Sequence, residues 1–428
     1  MSAPANRSLV RPADAPHIDG ARLLHALAEI SRIGAQPGAG ITRTGLGAEE
    51  AQARAYLAER YRRDGLAART DQAGNLVVRR RGADPARPVL LLGSHVDTVV
   101  RGGRLDGTYG VVAACEVVRA LARHGVEPVY EPVAVAFSNE EGARFPYPFF
   151  GSLGLTGQLD VVRATTMTDR DGTPLPDALR AAGGDLDTVG LAAWPDGSIA
   201  GYLELHIEQG PVLENRDIPV GVVEAITGRT IVDITVRGVQ SHAGTTPMPL
   251  RRDALVAAAH VVLAVQRLAT GRALCAVSTV GVLDGEPNVT NVIPGAVRLT
   301  AELRDGRPER LRAAENALVA ELSALGAATG TRIDADVRRV TRPTRTDHRL
   351  REAVADAADG LGLAHLAMFS GAGHDAQIVA RSAPVGMVFV PSHDGVSHAP
   401  QEHTDDDLLV AGADTLLHAA LRLVAEEW

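Results

Sequence analysis

The feature that most constrains the fold is an alternation of short, almost wholly apolar runs with longer amphipathic helical patterns. The runs PVLLLGSH (88–95) and EPVAVAFS (131–138) carry few polar side chains, as expected for strands covered on both faces of a sheet. Helical patterns stand beside them, for example AEEAQARAYLAERYRRDG (48–65), which ends at Gly65. This βαβα rhythm predicts an α/β domain with helices on both sides of its sheet.

The rhythm is interrupted between residues 222 and 340. There the predicted order is strand, helix, strand, strand, helix, strand, which is the split ferredoxin-like α+β unit. The buried strand PVGMVFVPS and a long C-terminal helix then resume the first pattern. We therefore predict a mixed-sheet α/β domain built from residues 19–221 and 341–428, with an α+β domain inserted at 222–340.

Composition limits the possible partners. The chain has 428 residues, enough for two or three domains. Its net charge of −9 at pH 7 argues against nucleic acid or an anionic membrane as a partner. The start of the chain lacks the apolar core of a signal peptide, and we see no apolar run long enough to span a membrane. We expect a cytoplasmic protein with about 18 frayed residues at its N-terminus.

Polar residues with metal-ligand chemistry stand at the ends of the predicted strands, where open α/β sheets place their working residues. Taken singly, each has an ordinary explanation: a surface histidine, an aspartate that caps a helix, or a solvated acidic loop. Together they supply only His, Asp and Glu, which suits Zn²⁺, Mn²⁺ or Co²⁺. They are His95 with Asp97, Asp106, the pair Glu140–Glu141, His206, and the pair His393 and His398.

Divalent cations would explain the adjacent pair Glu140–Glu141. Two neighbouring carboxylates at the edge of an apolar layer repel each other and lose hydration. With cations nearby, one glutamate can bind metal while the other takes a proton from water, whose pKa the cation lowers towards 7. Because alternate strand residues point to one side, Asp97 could accept a ring N–H of His95 and orient it.

Several stretches, in this order, resemble the amidase branch of the M20 metallopeptidase family, from residue 19 to the C-terminus. This branch includes N-carbamoyl-L-amino-acid hydrolases, β-ureidopropionases and allantoate amidohydrolases. LHIEQG and SHAGTTPM distinguish it from the aminoacylase and carboxypeptidase branches. The stretches are GSHVDTV, RLDGTYGVVAACEVVRAL, SNEEGARF, ELHIEQGPVLE, QSHAGTTPM with RRDAL, NVIPG, SGAGHDA and GVSHAPQE.

The resemblance implies two divalent metal ions per subunit, Zn, Mn or Co. It implies that Glu140 is the general base and then the general acid, with Asp97 orienting His95. A cis peptide bond would follow the bridging aspartate. The implied ligands are Asp106 between the two ions, His95 and His206 on one ion, and Glu141 and His398 on the other.

The resemblance also implies that the inserted domain forms a homodimer and lends residues to the partner's active site. His242 would stabilise the tetrahedral oxyanion, and Asn291 and Arg304 would clamp the substrate carboxylate. Without the resemblance, Arg304 reads as a surface charge. Gln209 would be an amide beside the metals, and His374 would line the pocket.

The first functional hypothesis is a two-metal hydrolase that converts an N-carbamoyl-L-amino acid to the amino acid, CO₂ and ammonia. Two alternatives stay open: a non-catalytic scaffold, against which Glu140 argues, and a peptidase or aminoacylase, against which the amidase-type stretches argue. The sequence does not decide among N-carbamoyl-L-amino acids, N-carbamoyl-β-alanine, allantoate and ureidoglycolate. We leave Arg229 outside the site, and residues 147–150 either pack in the core or shape the pocket.

Overall fold

A computed structural model describes residues 16–82 and 87–428, so nearly all of the segment expected to be frayed lies outside the described residues. The strands are β1 Ala35–Gln36, β2 Gly40–Ile41, β3 Ala67–Thr70, β4 Leu76–Arg79, β5 Val89–His95, β6 Glu131–Phe137, β7 Ile199–Ile207, β8 Val220–Ile226, β9 Gly228–Arg237, β10 Ser241–His242, β11 Val277–Glu286, β12 Val292–Ile293, β13 Ala296–Asp305, β14 Arg332–Thr341, β15 Thr344–Arg345, β16 His365–Ser370 and β17 Val385–Val390.

The helices alternate with these strands through most of the chain. The α-helices are α1 Gly20–Ile30, α2 Ala48–Arg63, α3 Thr108–Arg123, α4 Phe150–Leu155, α5 Val161–Thr165, α6 Leu175–Ala181, α7 Val212–Arg216, α8 Ala254–Thr270, α9 Pro308–Thr329, α10 His348–Gly360, α11 Asp375–Val379 and α12 Asp406–Ala425. Short 3₁₀ helices lie at Leu186–Ala192, Met248–Leu250 and His393–Gly395.

The chain forms two compact units. Unit 1 contains the described residues up to 224, together with 346–368 and 373–428. Unit 2 contains residues 225–345 and the short stretch 369–372. The inserted domain was predicted at 222–340, whereas the boundaries of unit 2 fall inside β8 and after β15.

The main sheet has the strand order β15-β8-β17-β7-β5-β6-β4-β3, and β16 also pairs with β8. Its central strands β17, β7, β5 and β6 run parallel, while β4 and β3 continue it in antiparallel fashion. Every residue of β5 and β6 is buried, because helices cover both faces of the sheet. The predicted mixed-sheet α/β architecture is confirmed.

The parallel strands bring the predicted ligands to one edge of this sheet. His95 is the last residue of β5, and His206 is the penultimate residue of β7. β6 leads directly into the Glu140–Glu141 segment, and β17 leads into the loop that carries His398. Since the carboxyl ends of parallel strands meet at the same edge, residues far apart in sequence converge there.

Helix α3 packs unusually close to this edge. A Cβ atom on Gly110 would lie 2.1 Å from the Leu205 carbonyl oxygen of β7, so only glycine permits the approach. Because α3 begins two residues after Asp106, the contact also fixes the position of Asp106 relative to His206 on β7.

Unit 2 has a four-stranded antiparallel sheet in the order β11-β13-β9-β14. The elements follow one another as β9, α8, β11, β13, α9 and β14, which is the predicted ferredoxin-like order. One apolar core, including Val232, Val261 and Leu318, joins the sheet to α8 and α9. The α+β class predicted for the insertion is therefore confirmed.

The C-terminal helix expected from the sequence is α12. Among the described residues, it is long and apolar enough to cross a membrane by length and composition. However, 72% of its apolar window is buried inside the protein. Its side chains Leu416, Leu417 and Leu423 belong to the main core, as is usual for the central helix of an α/β domain.

Candidate metal centre

The first group of potential ligands lies at the ends of β5 and β7. His206 Nε2 is 3.1 Å from Asp106 Oδ1, and His95 Nε2 is 3.9 Å from the same oxygen. All three side chains are buried, and their ligand atoms lie close enough together to bind one metal ion.

The second group uses the other oxygen of the same aspartate. His398 Nε2 is 2.8 Å from Asp106 Oδ2 and 3.3 Å from Glu141 Oε1. This group is more open to solvent, because the His398 side chain is 48% exposed. Asp106 thus faces one ligand group with each carboxylate oxygen, the arrangement expected of a carboxylate between two cations.

The donor atoms fit divalent cations. His95 Nδ1 lies 3.0 Å from the Asp97 carbonyl oxygen and His206 Nδ1 lies 2.9 Å from the Ile207 carbonyl oxygen. These contacts direct Nε2 of each ring into the site, as in histidines that bind metal. Glu141 Oε1 is buried without a hydrogen-bond partner. An all-His and carboxylate set of this kind suits Zn²⁺, Mn²⁺ or Co²⁺.

A third cluster, Glu204, His206 and His374, is less suited to a metal ion, although its ligand atoms also lie close together. Both ring nitrogens of His206 already face other partners. The Glu204 oxygens accept hydrogen bonds from the Ser94 hydroxyl at 2.8 Å and from the Ala376 N–H at 3.1 Å. These residues therefore surround His206 of the first ligand group rather than form a third metal site.

Asp97 organises the glutamate pair. Its two carboxylate oxygens accept the backbone N–H groups of Glu140 and Glu141, at 3.0 and 3.1 Å. Its carboxylate is 3.5 Å from His95 Nδ1, which is nearer to the Asp97 carbonyl oxygen. Asp97 thus contacts the His95 ring mainly through its backbone carbonyl oxygen, whereas the sequence predicted a contact through its carboxylate. Glu140 Oε2 lies 3.7 Å from His95 Nε2, beside the ligands.

The cluster has an excess of buried negative charge. Burial, together with nearby carboxylates, raises the pKa of Glu140 well above its usual range, against the opposing effect of His95. Burial raises the pKa of Glu141 to about 7. The hydrogen bond between the His398 ring and Asp106 raises the pKa of His398 to about 9. Divalent cations would compensate this negative charge.

Several site residues have left-handed backbone conformations although none is glycine. Such conformations cost about 1–3 kcal/mol each and concentrate at functional sites. They leave no mark in the sequence, because the usual signal for a positive φ is glycine. The residues are Asn139 (φ +47°), Phe149 (φ +62°), Gln209 (φ +58°) and His398 (φ +56°).

Sequence reasoning missed two buried residues that hold the ligand loops. The guanidinium of Arg43, fully buried, donates to the Val96 carbonyl and to the Thr108 hydroxyl, so it joins the end of β5 to the start of α3. Glu50 accepts the Asn139 N–H at 3.1 Å, just before Glu140. Neither residue lies at a strand end, so no pattern marked them.

Gln209 and His374 lie beside the cluster in unit 1. Gln209 Nε2 is 3.1 Å from Asp106 Oδ2, and its Oε1 atom is buried without a hydrogen-bond partner. The His374 ring centroid is 4.7 Å from that of His206. Burial, reinforced by His206, lowers the pKa of His374 well below its usual range, so this ring is neutral.

The structure separates His393 from the cluster. His393 Nδ1 lies 2.8 Å from Glu214 Oε1, and the ring is exposed. The bond after Asp106 also differs from expectation, because among the described residues the cis peptide bond is Glu286–Pro287. Gly107 instead has φ +62°, and its nitrogen lies 3.1 Å from His206 Nε2.

The aromatic residues after the glutamate pair were expected either to pack in the core or to shape the pocket. Tyr147 and Phe150 are buried in an apolar cluster with Leu175 and Leu179. Phe149 is partly exposed, and its N–H donates to the Glu140 carbonyl oxygen at 2.9 Å. Core packing therefore accounts for two of the three rings.

The predicted substrate residues of the insertion lie in unit 2. His242 is exposed, and its Nδ1 atom accepts the N–H groups of Gly244 and Thr245. Since Nδ1 is an acceptor, a neutral ring carries its proton on Nε2. Asn291, on the segment before β12, is also exposed.

Arg304 is held in place within unit 2. Its Nε donates to Glu302 Oε1 at 2.5 Å, and its Nη1 donates to the Gly371 carbonyl. Arg229, which the sequence interpretation left outside the site, lies directly opposite Arg304 in the β9–β13 pairing. Its Nε donates to the other Glu302 oxygen at 2.6 Å. The structure therefore presents two guanidinium groups here.

Comparisons with known proteins find relatives over nearly the whole chain. The family model for Peptidase family M20/M25/M40 matches residues 91–422. The chain is 38% identical to the N-carbamoyl-L-amino acid amidohydrolase of Geobacillus stearothermophilus, over 96% of this chain and 100% of that protein. It is 35% identical to the allantoate amidohydrolase of Escherichia coli K12, over 93% and 96%. A solved hydantoinase/carbamoylase family amidase from Burkholderia ambifaria has a TM-score of 0.89 and 37% identity, covering 96% and 99%.

The two histidines of the β17–α12 loop provide a matched test of the centre. His398→Ala removes a ring that faces Asp106 and Glu141, so the protein should retain less metal after loading with Mn²⁺ and desalting. His393→Ala removes an exposed ring paired with Glu214 and should retain as much metal as the unmodified protein. Elemental analysis measures both. Equal retention by the two variants would contradict the ligand assignment.

Proposed function

This chain belongs to peptidase family M20/M25/M40, and we propose that it hydrolyses the carbamoyl C–N bond of N-carbamoyl-L-amino acids. The products would be the amino acid, CO₂ and ammonia. The observation that carries the proposal is the Asp106 carboxylate shared by two ligand groups, with Glu140 beside them. The Geobacillus stearothermophilus relative, named for this reaction, supports the substrate class.

We propose that the centre holds two divalent cations, Zn²⁺, Mn²⁺ or Co²⁺. His95 and His206 would hold one and Glu141 and His398 the other, with Asp106 serving both. When bound, such cations polarise a carbonyl group and lower the pKa of water.

Glu140 is the proton carrier in this proposal. It is buried next to His95 and belongs to neither ligand group. Asp97 fixes its backbone through the N–H group. Glu140 would take a proton from the attacking water and deliver it to the departing nitrogen, so one carboxylate serves first as base and then as acid. Binding alone would not need such a group, which argues against a non-catalytic scaffold.

Unit 2 would bind the substrate carboxylate and stabilise the oxyanion. Arg304 can present a planar fork to a carboxylate, and Glu302 restrains it from one side. Asn291 would add an amide donor. His242 would donate its Nε2–H to the tetrahedral oxyanion, in keeping with its Nδ1 being an acceptor. Gln209 and His374 would complete the pocket in unit 1.

We propose that unit 2 also forms a homodimer. β11 is an edge strand of the unit 2 sheet, with unpaired backbone groups along one side. Large apolar side chains are exposed on β11 and α8, as is usual for a surface that a partner covers. They are Val277, Val282 and Leu283 on β11, and Leu255, Val256 and Leu263 on α8. We further propose that the enzyme is cytoplasmic.

A substrate panel tests the reaction. Metal-loaded enzyme should release ammonia from N-carbamoyl-L-amino acids with higher kcat/KM than from N-carbamoyl-β-alanine, allantoate or ureidoglycolate. The E. coli relative makes allantoate the second candidate. A higher kcat/KM for allantoate would show that allantoate, and not an N-carbamoyl-L-amino acid, is the substrate. Activity on dipeptides alone, with release of free amino acids, would show that the enzyme is a peptidase.

Changing each of the two adjacent glutamates to glutamine should impair different properties of the enzyme. Glu140→Gln should keep its metal yet lose about a hundredfold or more in kcat, the usual size for general acid–base catalysis. Glu141→Gln should lose metal, because Glu141 belongs to the second ligand group. Metal analysis and kcat are measured on the same samples. If both variants lose metal equally, the roles have been misassigned.

A mixed dimer tests whether unit 2 acts across the dimer. Homodimers of His95→Ala and of Arg304→Ala should both be impaired, the latter chiefly in KM, since a clamp binds ground and transition states alike. Co-refolding the two variants should restore up to about a quarter of normal activity, because half of randomly paired dimers are mixed and each has one intact site.

A matched control for this experiment lies on the same strand as Arg304. Arg298 of β13 is exposed and pairs with Glu286, so Arg298→Ala should stay active as a homodimer. Mixed dimers that form, as shown by differently tagged subunits, but recover no activity would mean that Arg304 serves its own chain.

A further inference from the structure

We infer that Glu402 positions Asp106 and His398 relative to each other and so sets the geometry of the second ligand group. Glu402 is 4% exposed and belongs to neither ligand group. Its Oε1 atom accepts the backbone N–H groups of Leu105 and Asp106, at 2.7 and 3.1 Å. Its Oε2 atom accepts the hydroxyl of Ser397 at 2.9 Å. One carboxylate thus bonds the backbone of the shared ligand and the neighbour of His398.

This link matters because the two ligands come from distant parts of the chain. Asp106 lies before α3 and Ser397 lies in the loop after β17, 291 residues further on. No local secondary structure sets the distance between Asp106 Oδ2 and His398 Nε2. The Glu402 carboxylate instead accepts hydrogen bonds from both loops, from the Asp106 backbone and from Ser397, which precedes His398.

The loop before Asp106 is shaped to admit this carboxylate. A Cβ atom on Gly103 would lie 2.2 Å from both Cδ and Oε1 of Glu402. Any side chain at position 103 would therefore displace Glu402. This contact is independent of the hydrogen bonds and indicates the same fit between the two loops.

Near the middle of the loop after β17, the Ser397 hydroxyl also lies 3.4 Å from Asp106 Oδ2 and from Gln209 Nε2. Other bonds hold the loop at its base and at its outer turn. The Thr404 hydroxyl donates to the Pro391 carbonyl at 2.7 Å. The Asp394 N–H donates to Glu214 Oε2 at 2.7 Å. These contacts fix the base and the outer turn of the loop, whereas the hydrogen bond that the Ser397 hydroxyl donates to Glu402 helps to fix the part next to His398. Glu402 is a positioning residue, since its hydrogen bonds go to the backbone of Asp106 and to the neighbour of His398 rather than to the ligand atoms.

Metal titration of two variants tests the inference, which rests on the proposed two-cation centre. Apo-protein, prepared by chelation, is titrated with Mn²⁺ by calorimetry. Glu402→Leu keeps the volume but removes all three hydrogen bonds, and the second equivalent should bind about tenfold or more weakly, as for other residues that orient ligands. Glu402→Gln can accept both N–H groups and donate to Ser397, so it should bind within about threefold of the unmodified protein.

Glu208 supplies the matched control. It is also a buried glutamate that accepts two backbone N–H groups, those of Val212 and Leu213, at 2.8 Å each. These bonds cap α7 within the segment 208–213 and do not join the loop of Asp106 to the loop of His398. Glu208→Leu should therefore bind both equivalents normally, which separates positioning from a general loss of stability.

The outcomes are distinguishable. Normal affinity of Glu402→Leu for both equivalents would overturn the inference, and so would equal losses in the Leu and Gln variants, which would indicate an effect of charge. If Glu402→Leu does not fold, Ser397→Ala takes its place. It should weaken the second equivalent, and unchanged affinity would overturn the inference. An unmodified protein that binds only one equivalent would instead overturn the proposed two-cation function.

Discussion

The candidate metal centre is organised around one buried carboxylate whose two oxygens face different ligand groups. Asp106 accepts contacts from His206 on one side and His398 on the other. Although burial would raise it, the hydrogen bonds from these rings hold the pKa of Asp106 well below its usual range. A carboxylate that remains ionised among other buried acids requires positive charge close by. The surrounding loops provide for that charge by placing imidazole nitrogens at fixed distances from it.

These fixed distances come from residues that contact the ligands' neighbours. Arg43 holds the backbone after His95, Glu50 holds the backbone before Glu140, and Asp97 holds the glutamate pair itself. Each buried charge here is satisfied by several hydrogen bonds from or to the backbone, which is how a polar network can stabilise a unique geometry. The ligand loops are therefore held by hydrogen bonds within the protein itself, and such preorganisation favours catalysis.

Much of this was predictable from the sequence, and the exceptions have physical reasons. The apolar runs predicted the central strands, and the rule that parallel strands end at one edge predicted that His95 and His206 would meet. The division between ligands and proton carrier came from the family resemblance, because two adjacent glutamates look alike in a sequence. Arg43 and Glu402 could not be predicted, since their importance lies in long-range hydrogen bonds. The position of Arg229 opposite Arg304 could not be predicted either, because strand register is a property of the folded sheet.

The strand order also constrains how the chain folds as it is synthesised. β17, close to the C-terminus, lies between β7 and β8 in the main sheet, and the last long helix, α12, supplies part of the main core. Unit 1 cannot close its core until these residues have left the ribosome. Unit 2 is almost wholly contiguous in sequence, so it can fold before β17 completes the sheet of unit 1. The edge that carries the predicted ligands is thus completed last, and a chain truncated before β17 would lack the strand that joins β7 to β8.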